Sequence, residues 1–305
     1  MNQGSRYELA VAVHDAGAFP AISSYCYWND DASADNMINV DKLDYALTEF
    51  KKQTGSNNVV LSFEIDDLLN ADYQKLLMKH KPSHLEFVLF SSTLQKYASE
   101  QKSIFKRPDV DWRTIRRTLE TINKFVGAKI LIRSLDLKGN WIKEFCTFDG
   151  IFAKGSEAAG MKGSMGTKEM FVKQREMLPE TVVVPVGGIS TPAQVKEYMD
   201  LGSTAVVVGT LIAASMESPL HEDTKNAMVA ADSSKITTFT ELNQNALKFS
   251  DFSGPDDRNH TKSLITGAYK NPGKEGHVFV GTGVTNVTSI KPVKEVIEYL
   301  VSELQ

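Results

Sequence analysis

The sequence predicts an α/β protein built as a TIM (β/α)8-type barrel that apparently lacks its first strand. Two apolar runs, residues 182–186 and 205–208, are each followed by glycine and are separated by a short helical pattern. A continuous apolar run is typical of a strand that is buried on both faces in a parallel sheet. Strand and helix patterns also alternate along most of the chain, which indicates a parallel sheet wrapped by helices.

The individual elements are predicted from the spacing of apolar residues. Apolar runs predict strands near residues 20, 60, 87, 131, 151, 184 and 206. Apolar residues at helical spacing predict helices over 6–16, around 43–50, over 66–80, over 112–126 and from Pro292 onwards. Because nearly every strand is followed by a helix, we expect neighbouring strands to run parallel.

The helix between the two glycine-ended strands has clear boundary signals. Thr191 is expected to cap its N-terminus, Pro192 suits the first helical position, and Gln194 completes a capping box. Gly202 is expected to end the helix. The segment is therefore predicted to be a βαβ unit.

Seven strands are predicted, whereas a (β/α)8 barrel has eight. Because the chain opens with a helix, the missing strand is expected to be the first. Open sheet edges promote aggregation unless they are covered. We therefore expect the gap to be filled by a C-terminal segment such as 278–280, by a partner subunit in a homodimer, or by a strand upstream of Met1. The predicted domains are a β/α barrel over 1–249 and, over 250–305, a C-terminal extension or lid with a final helix packed on the barrel.

Composition limits the classes of function. The formal net charge is −4 and the pI is about 5.9, so there is no basic footprint and no nucleic-acid partner is expected. No apolar run has membrane-spanning length, and the N-terminus lacks a signal-peptide core. The only cysteines, Cys26 and Cys146, fit a reducing cytoplasm and show no metal-ligand spacing. We expect a cytoplasmic protein that acts on a small molecule without a metal.

Glycines at the ends of the two strands predict a phosphate site. Gly187, Gly188 and Gly209 follow the apolar runs directly. Glycine lets backbone N–H groups approach a ligand closely, and the loops after the last two strands of a β/α barrel commonly hold a phosphate. The alternative is an ordinary βαβ unit whose glycines only make tight turns.

A second glycine-rich segment, residues 152–166, follows the strand near residue 151. Its composition fits a loop that wraps closely around something, and equally fits a flexible surface loop. The histidines offer no clear catalytic candidate: His14 is expected at a helix surface, and His221 and His277 are expected in loops.

Three short motifs together resemble the nitronate monooxygenase family, also called the 2-nitropropane dioxygenase family and related to FMN-dependent enoyl-ACP reductases. They are Gly155-Ser156-Glu157-Ala158-Ala159-Gly160, Pro185-Val186-Gly187-Gly188-Ile189 and Val208-Gly209-Thr210. The resemblance is strong over 150–220 and weak over 24–130. It implies an FMN-binding TIM barrel with oxidoreductase activity.

The resemblance also implies positions for the cofactor. The FMN phosphate is expected on the backbone and hydroxyl groups at one end of the barrel, and the ring along the glycine-rich loop. Arg133 is expected beside the ring, where a cation would stabilise charge on reduced flavin. A salt bridge at a strand end is the alternative role for Arg133. The implied cofactor-binding residues are Gly187, Gly188, Gly209, Thr210, Ala158, Ala159, Gly160, Arg133 and Ser62, the last of which stands where relatives often have asparagine.

The main departure from the family pattern lies at Met161, where the family has a histidine that acts as general base. A thioether cannot take up a proton near neutral pH, and general acid–base help is worth roughly 10²–10⁴-fold in rate. Proton abstraction from a neutral nitroalkane is therefore expected to be largely lost, and the catalytic residues stay unknown. Two alternatives remain open: an NAD(P)H-dependent enoyl-thioester reductase, and a flavin-binding protein with little catalysis.

Overall fold

A computed structural model describes residues 5–27, 38–63, 67–68, 70–89, 112–137, 147–239, 243–248 and 276–304. Over these ranges the chain forms a six-stranded parallel sheet in the order β1-β2-β3-β4-β5-β7, and a four-stranded antiparallel sheet made from β6, β8, β9 and β10. The strands are β1 (Ala21–Ser23), β2 (Val60–Phe63), β3 (His84–Leu89), β4 (Lys129–Ser134), β5 (Gly150–Lys154), β6 (Gly160–Met161), β7 (Val182–Val186), β8 (Ile236–Phe239), β9 (Gln244–Lys248) and β10 (His277–Val278).

Helices separate most of the parallel strands and cover the sheet. They are α1 (Tyr7–Asp15), α2 (Val40–Thr54), α3 (Ala71–His80), α4 (Trp112–Val126), α5 (Thr167–Met177), α6 (Pro192–Asp200), α7 (Thr210–Ala213), α8 (Glu222–Val229) and α9 (Val293–Leu300). The core lies between helices and sheet: Leu43 and Phe50 of α2 are buried in one cluster with Leu61 of β2 and Leu85 of β3. The predicted α/β class, with parallel strands following one another in chain order, is confirmed.

Two predicted elements differ in extent from those in the structure. The helix predicted over 66–80 begins only at Ala71, because the Asn70 side chain accepts from the N–H groups of Asp72 and Tyr73 and so caps it there. The strand predicted near residue 206 is reduced to one parallel bridge between Val186 and Val207.

Proline explains why pairing stops at this bridge. Val207 N–H donates to the Pro185 carbonyl at 3.1 Å, but Pro185 has no N–H to return to Ala205. The Ala205 carbonyl accepts instead from Ser203 Oγ at 2.6 Å. The segment then turns into the four-residue helix α7.

At the β1 edge of the parallel sheet, where the missing first strand would pair, a backbone hydrogen bond is formed. Ser23 N–H donates to the Ser5 carbonyl at 3.0 Å, so the chain two residues before α1 lies beside β1. Within the described ranges no ladder joins β1 to the segment at Val207. The candidate filler 278–280 was wrong, because Val278 pairs antiparallel with Leu247 in the smaller sheet.

The C-terminal helix is confirmed as predicted. Pro292 precedes α9, whose Val293, Val296 and Leu300 are buried. This helix contacts α1, α6 and α7. No helix among the described residues is long and apolar enough to cross a membrane. The predicted domain boundary at 249/250 and Cys146 lie outside the described residues.

Candidate active site

The two glycine-ended segments lie side by side at the carboxyl end of the parallel sheet. The bridge between Val186 and Val207 fixes their register, so Gly188 and Gly209, each two positions further on, lie level with each other. In the described part of the chain, neither N–H group donates to another residue. Two backbone donors without partners at adjacent strand ends are suited to an anion such as a phosphate.

The double glycine at 187–188 is also needed for packing. Gly187 and Gly188 have φ values of 125° and 72°. A Cβ on Gly187 would lie 2.9 Å from Ala158 Cβ, and one on Gly188 would lie 2.8 Å from Glu157 Cβ. Gly209, in contrast, has φ −116°, which any residue can adopt. Glycine at 187 and 188 is therefore required by the neighbouring loop, whereas glycine at 209 is not required by the backbone.

The glycine-rich loop after β5 is closely packed and is not a flexible surface loop. A Cβ on Gly155 would lie 2.3 Å from Thr167 Cα, and one on Gly163 would lie 2.1 Å from the Lys154 carbonyl oxygen. Glu157 Oε2 accepts from both Thr167 N–H and Thr167 Oγ1 at 2.8 Å. The Glu157 carboxylate thus holds the loop against the start of α5, a role that sequence reasoning missed.

A segment near the C-terminus, residues 281–286, closes over these loops. Thr282 N–H donates to the Glu157 carbonyl at 3.0 Å, and Gly281 N–H donates to Thr210 Oγ1 at 3.0 Å. Asn286 Nδ2 donates to Ser190 Oγ at 2.8 Å. Sequence reasoning missed this segment, although 278–282 repeats the apolar-then-Gly-Thr pattern of 206–210. In the described part of the chain Thr210 Oγ1 accepts this bond and donates none, so its hydroxyl proton is available to a ligand.

The loop residues assigned to the flavin ring lie where the loop enters the smaller sheet. Asn245 Nδ2 donates to the Ala158 carbonyl at 3.0 Å, and Gly160 pairs with Asn245. Ala159 packs against Phe279 and its neighbour Ala246. Met161, at the position of the expected base, pairs with Gln244 and is partly exposed.

Ser62 and Arg133 are brought together by a residue that sequence reasoning overlooked. Glu86, in the middle of β3, is 2% exposed and accepts from Arg133 Nη2 at 2.6 Å, while its other oxygen contacts Arg133 Nε. Ser62 Oγ donates to the same carboxylate. The alternative role proposed for Arg133, a salt bridge, is therefore confirmed. The sequence signal that could have identified Glu86 is a single carboxylate within the otherwise apolar run Leu85–Val88.

Lys154 is a further buried cation that sequence reasoning missed. It ends β5 and is only 6% exposed. Ile151 and Ala153 are fully buried, and Ala153 belongs to the core cluster formed with α5 residues Met170 and Phe171. Since successive side chains of a strand point to opposite faces, Lys154 points to the face opposite Ala153, away from the core formed with α5.

The Lys154 amine has an unusual electrostatic environment. Burial, together with the nearby Arg133 charge, lowers the pKa of Lys154 to about 7, and Glu86 opposes the shift. Within the described ranges Lys154 Nζ forms no hydrogen bond or ion pair. A lysine closing an otherwise apolar strand, Gly150–Ala153, was the signal that could have identified it.

The histidines hold structural positions. His14 lies beside Asp15 at the surface of α1, with 3.2 Å between Nδ1 and Oδ1. His221 Nδ1 accepts from Asp223 N–H and so caps α8. His277 corrects the prediction of a loop: it lies in β10, fully buried, with its ring 4.7 Å from that of Phe279. Among the described residues, no group of three or more His, Cys, Asp or Glu side chains could hold a metal ion.

The groups at this end of the sheet fit a phosphorylated flavin. Within the described ranges, Gly188 and Gly209 offer N–H donors without partners, Thr210 offers a hydroxyl proton, and Lys154 offers a buried amine without a partner. Donors of this kind match a phosphate at the strand ends and an electron-rich ring or substrate deeper inside.

Comparison with known proteins gives a family model and several similar folds. A family model described as nitronate monooxygenase matches residues 1–303. FabK from Thermotoga maritima is 21% identical with a TM-score of 0.73, covering 99% of this chain and 90% of that one. A nitroalkane oxidase from Streptomyces ansochromogenes is 17% identical with a TM-score of 0.72, covering 99% and 92%.

The enoyl reductase domain of MlnA from Bacillus amyloliquefaciens is 11% identical with a TM-score of 0.62, covering 98% of this chain and 91% of that one. At these identities the similarity establishes a shared fold. No curated protein matches the sequence significantly.

Proposed function

Because its family model spans residues 1–303, the chain belongs to the nitronate monooxygenase family, and we propose that it is an FMN-dependent oxidoreductase acting on nitronates. The observation that carries the proposal is the level pair of N–H donors at Gly188 and Gly209, which have no partner among the described residues. Bound FMN would supply the electron acceptor for substrate oxidation. The chain would supply binding, orientation and charge.

The phosphate end of FMN is assigned to the adjacent strand ends. Gly188 and Gly209 would donate their backbone N–H groups, Thr210 its hydroxyl proton, and Gly187 would provide the turn that admits the phosphate. This assignment is supported by the register of the Val186–Val207 bridge.

The ring of FMN is assigned to the interior side of the sheet. Ala158, Ala159 and Gly160 would lie along the ring. Arg133 and Ser62 would border it, with the Arg133 charge already balanced by Glu86. Arg133 is therefore assigned chiefly to ordering this surface, because a paired guanidinium has less charge to offer a reduced flavin.

The substrate preference is assigned from Met161. A nitronate anion has already lost its proton, so its oxidation needs no base, whereas a neutral nitroalkane needs a proton acceptor. With methionine at this position, the anionic form is the proposed substrate.

A second candidate is NAD(P)H-dependent reduction of an enoyl thioester on the same barrel. It is favoured by the similarity in fold to the enoyl reductase domain of MlnA. The third candidate, a flavin-binding protein with little catalysis, keeps the same cofactor site without either reaction.

The absorption spectrum of the purified protein, followed by anaerobic reduction, separates these candidates. We expect a flavin spectrum that bleaches rapidly with a nitronate and slowly with NAD(P)H. Bleaching by NAD(P)H alone would favour the enoyl reductase, and a flavin inert to both would favour the binding protein. A colourless protein that takes up no added FMN would contradict the proposal.

A further inference from the structure

The charges around Lys154 are unequally balanced. In the part of the chain that the structure describes, the charges that act on its amine are Arg133 and Glu86. Glu86 is already engaged by two donors, Arg133 and Ser62. Among the described residues one carboxylate therefore faces two basic groups, and within this part of the chain the protonated Lys154 side chain would be a buried cation without a counterion.

A buried cation without a counterion is unfavourable, and the penalty falls when an anion binds beside it. Lys154 is 6% exposed and projects from the same sheet face as Arg133, at the carboxyl end of the strand. The predicted phosphate donors, Gly188 and Gly209, belong to the next two segments of the sheet, so a phosphate held there leaves the Lys154 amine for another group.

We propose that Lys154 forms a subsite for the compact anionic head group of the substrate, a nitronate or carboxylate, and that its amine takes up one proton when the anion binds. Both head groups are planar and present two oxygens, so a single ammonium group can donate to either. The proposal rests on the proposed function for the identity of the substrate. It explains how a site without a base at position 161 still recognises the ionised form.

The proton balance makes this subsite measurable. The amine of the unliganded protein changes its protonation near pH 7, because burial and Arg133 both disfavour its charge. A bound anion favours the ammonium form. Above about pH 7, therefore, anion binding draws a proton from the buffer, and the apparent affinity falls as the pH rises.

The test is calorimetric titration of the purified protein with acetate and with propyl-2-nitronate between pH 6 and pH 9. For the wild type we expect the dissociation constant to rise about tenfold per pH unit above pH 7. Titration in buffers of different ionisation enthalpy should report uptake of about one proton at pH 8.

Three variants complete the test. K154M should lose acetate binding by at least about tenfold at pH 6 and lose the proton uptake. K154R should bind acetate without proton uptake, because its guanidinium stays charged throughout. K225M is the matched control: Lys225 is equally buried and its pKa is also lowered by burial, but its Nζ already donates to the Met216 carbonyl at 3.0 Å. It should behave as the wild type.

Acetate affinity that is unchanged in K154M, or independent of pH in the wild type, would overturn the proposal. So would proton uptake that accompanies addition of FMN and not addition of acetate, because Lys154 would then face the flavin. The proposed function fails in a different way, through absence of nitronate oxidation. Anion binding that depends on Lys154 in a protein without that activity would leave the subsite standing.

Discussion

Single side chains decide the chemistry at the carboxyl end of this sheet. Glu86 neutralises Arg133, and Lys154 is left as the basic group without a partner in the described part of the chain. Nothing in the apolar spacing of β3 or β5 reveals this, because it depends on which strands become neighbours. The residue that the family resemblance singled out, Arg133, is thus the less available of the two cations.

Replacing Lys154 with methionine should stabilise the protein, and more so at low pH. The folded-state pKa of Lys154 is about 7, below its ordinary value of 10.5, so the unfolded chain binds more protons between these values and wild-type stability rises with pH across that window. K154M does not titrate there. Its gain in unfolding free energy should be larger at pH 6 than at pH 9 by about 2–3 kcal/mol.

Urea unfolding at the two pH values measures this difference. K154R should show no such gain, because its charge persists at both pH values. A K154M gain of equal size at pH 6 and pH 9 would mean that the amine does not titrate in this range.

We expect Met161 to determine which ionisation state of the substrate is oxidised faster. The wild type should oxidise a nitronate roughly 10²–10⁴-fold faster than the matching neutral nitroalkane, because no base stands at this position. M161H should recover part of the activity on the neutral form, provided Ala159 and Gly160 leave room for the imidazole. Oxygen uptake with both substrate forms, on both proteins, makes the comparison. Equal wild-type rates would mean that another residue supplies the base or that the loop is misaligned with the family motif.

At the scale of elements, loops that sequence patterns treat separately are packed into one unit. The glycine-rich loop after β5, the double glycine after β7 and the segment 281–286 contact one another through Glu157 and Thr282. The hydrogen bond from Thr282 to Glu157 joins positions more than a hundred residues apart. Propensity rules describe each loop locally, so they found the glycines and missed what the glycines contact.

Replacing Gly209 with valine should abolish flavin retention while leaving the fold intact. The backbone at Gly209 has φ −116°, which valine can adopt, but the branched side chain would stand where the N–H donors face a phosphate. Visible flavin absorbance per protein, with circular dichroism as the check on folding, measures the effect. T204V, which places the same valine side chain at an exposed position of the same segment, should keep its flavin. Full flavin occupancy in G209V would refute the phosphate assignment.

At the scale of the whole molecule, the class and order of the elements were predictable and the sheet edges were not. Apolar runs located all six parallel strands, and the capping box at Thr191 fixed the start of α6. The seventh strand shrank to one bridge because Pro185 cannot donate, and the segment 278–280 paired with β9 instead of the barrel. Both outcomes depend on long-range partners, which spacing along the chain does not encode.

Folding of the C-terminal helix should be coupled to folding of the barrel. Leu300 of α9 is 5% exposed and belongs to the core cluster that includes Val183 and Leu211. L300A should lower the free energy of unfolding by about 2–4 kcal/mol and preserve a single transition. Y299A, at an adjacent position that is 46% exposed, should change it by no more than about 0.5 kcal/mol. Two separate transitions in L300A, followed by fluorescence and circular dichroism together, would indicate an independently folding C-terminal part.

The packing of Gly187 and Gly188 against the loop at 157–158 has an evolutionary consequence. Selection for folding alone retains both glycines, since a side chain at either position would collide with Ala158 or Glu157. A descendant of this chain that abandoned its cofactor would still keep the double glycine and would still be recognised by its motifs. At position 209 the backbone conformation does not require glycine. When related chains are surveyed, loss of glycine there is the earlier and more informative sign that the ancestral ligand has been given up.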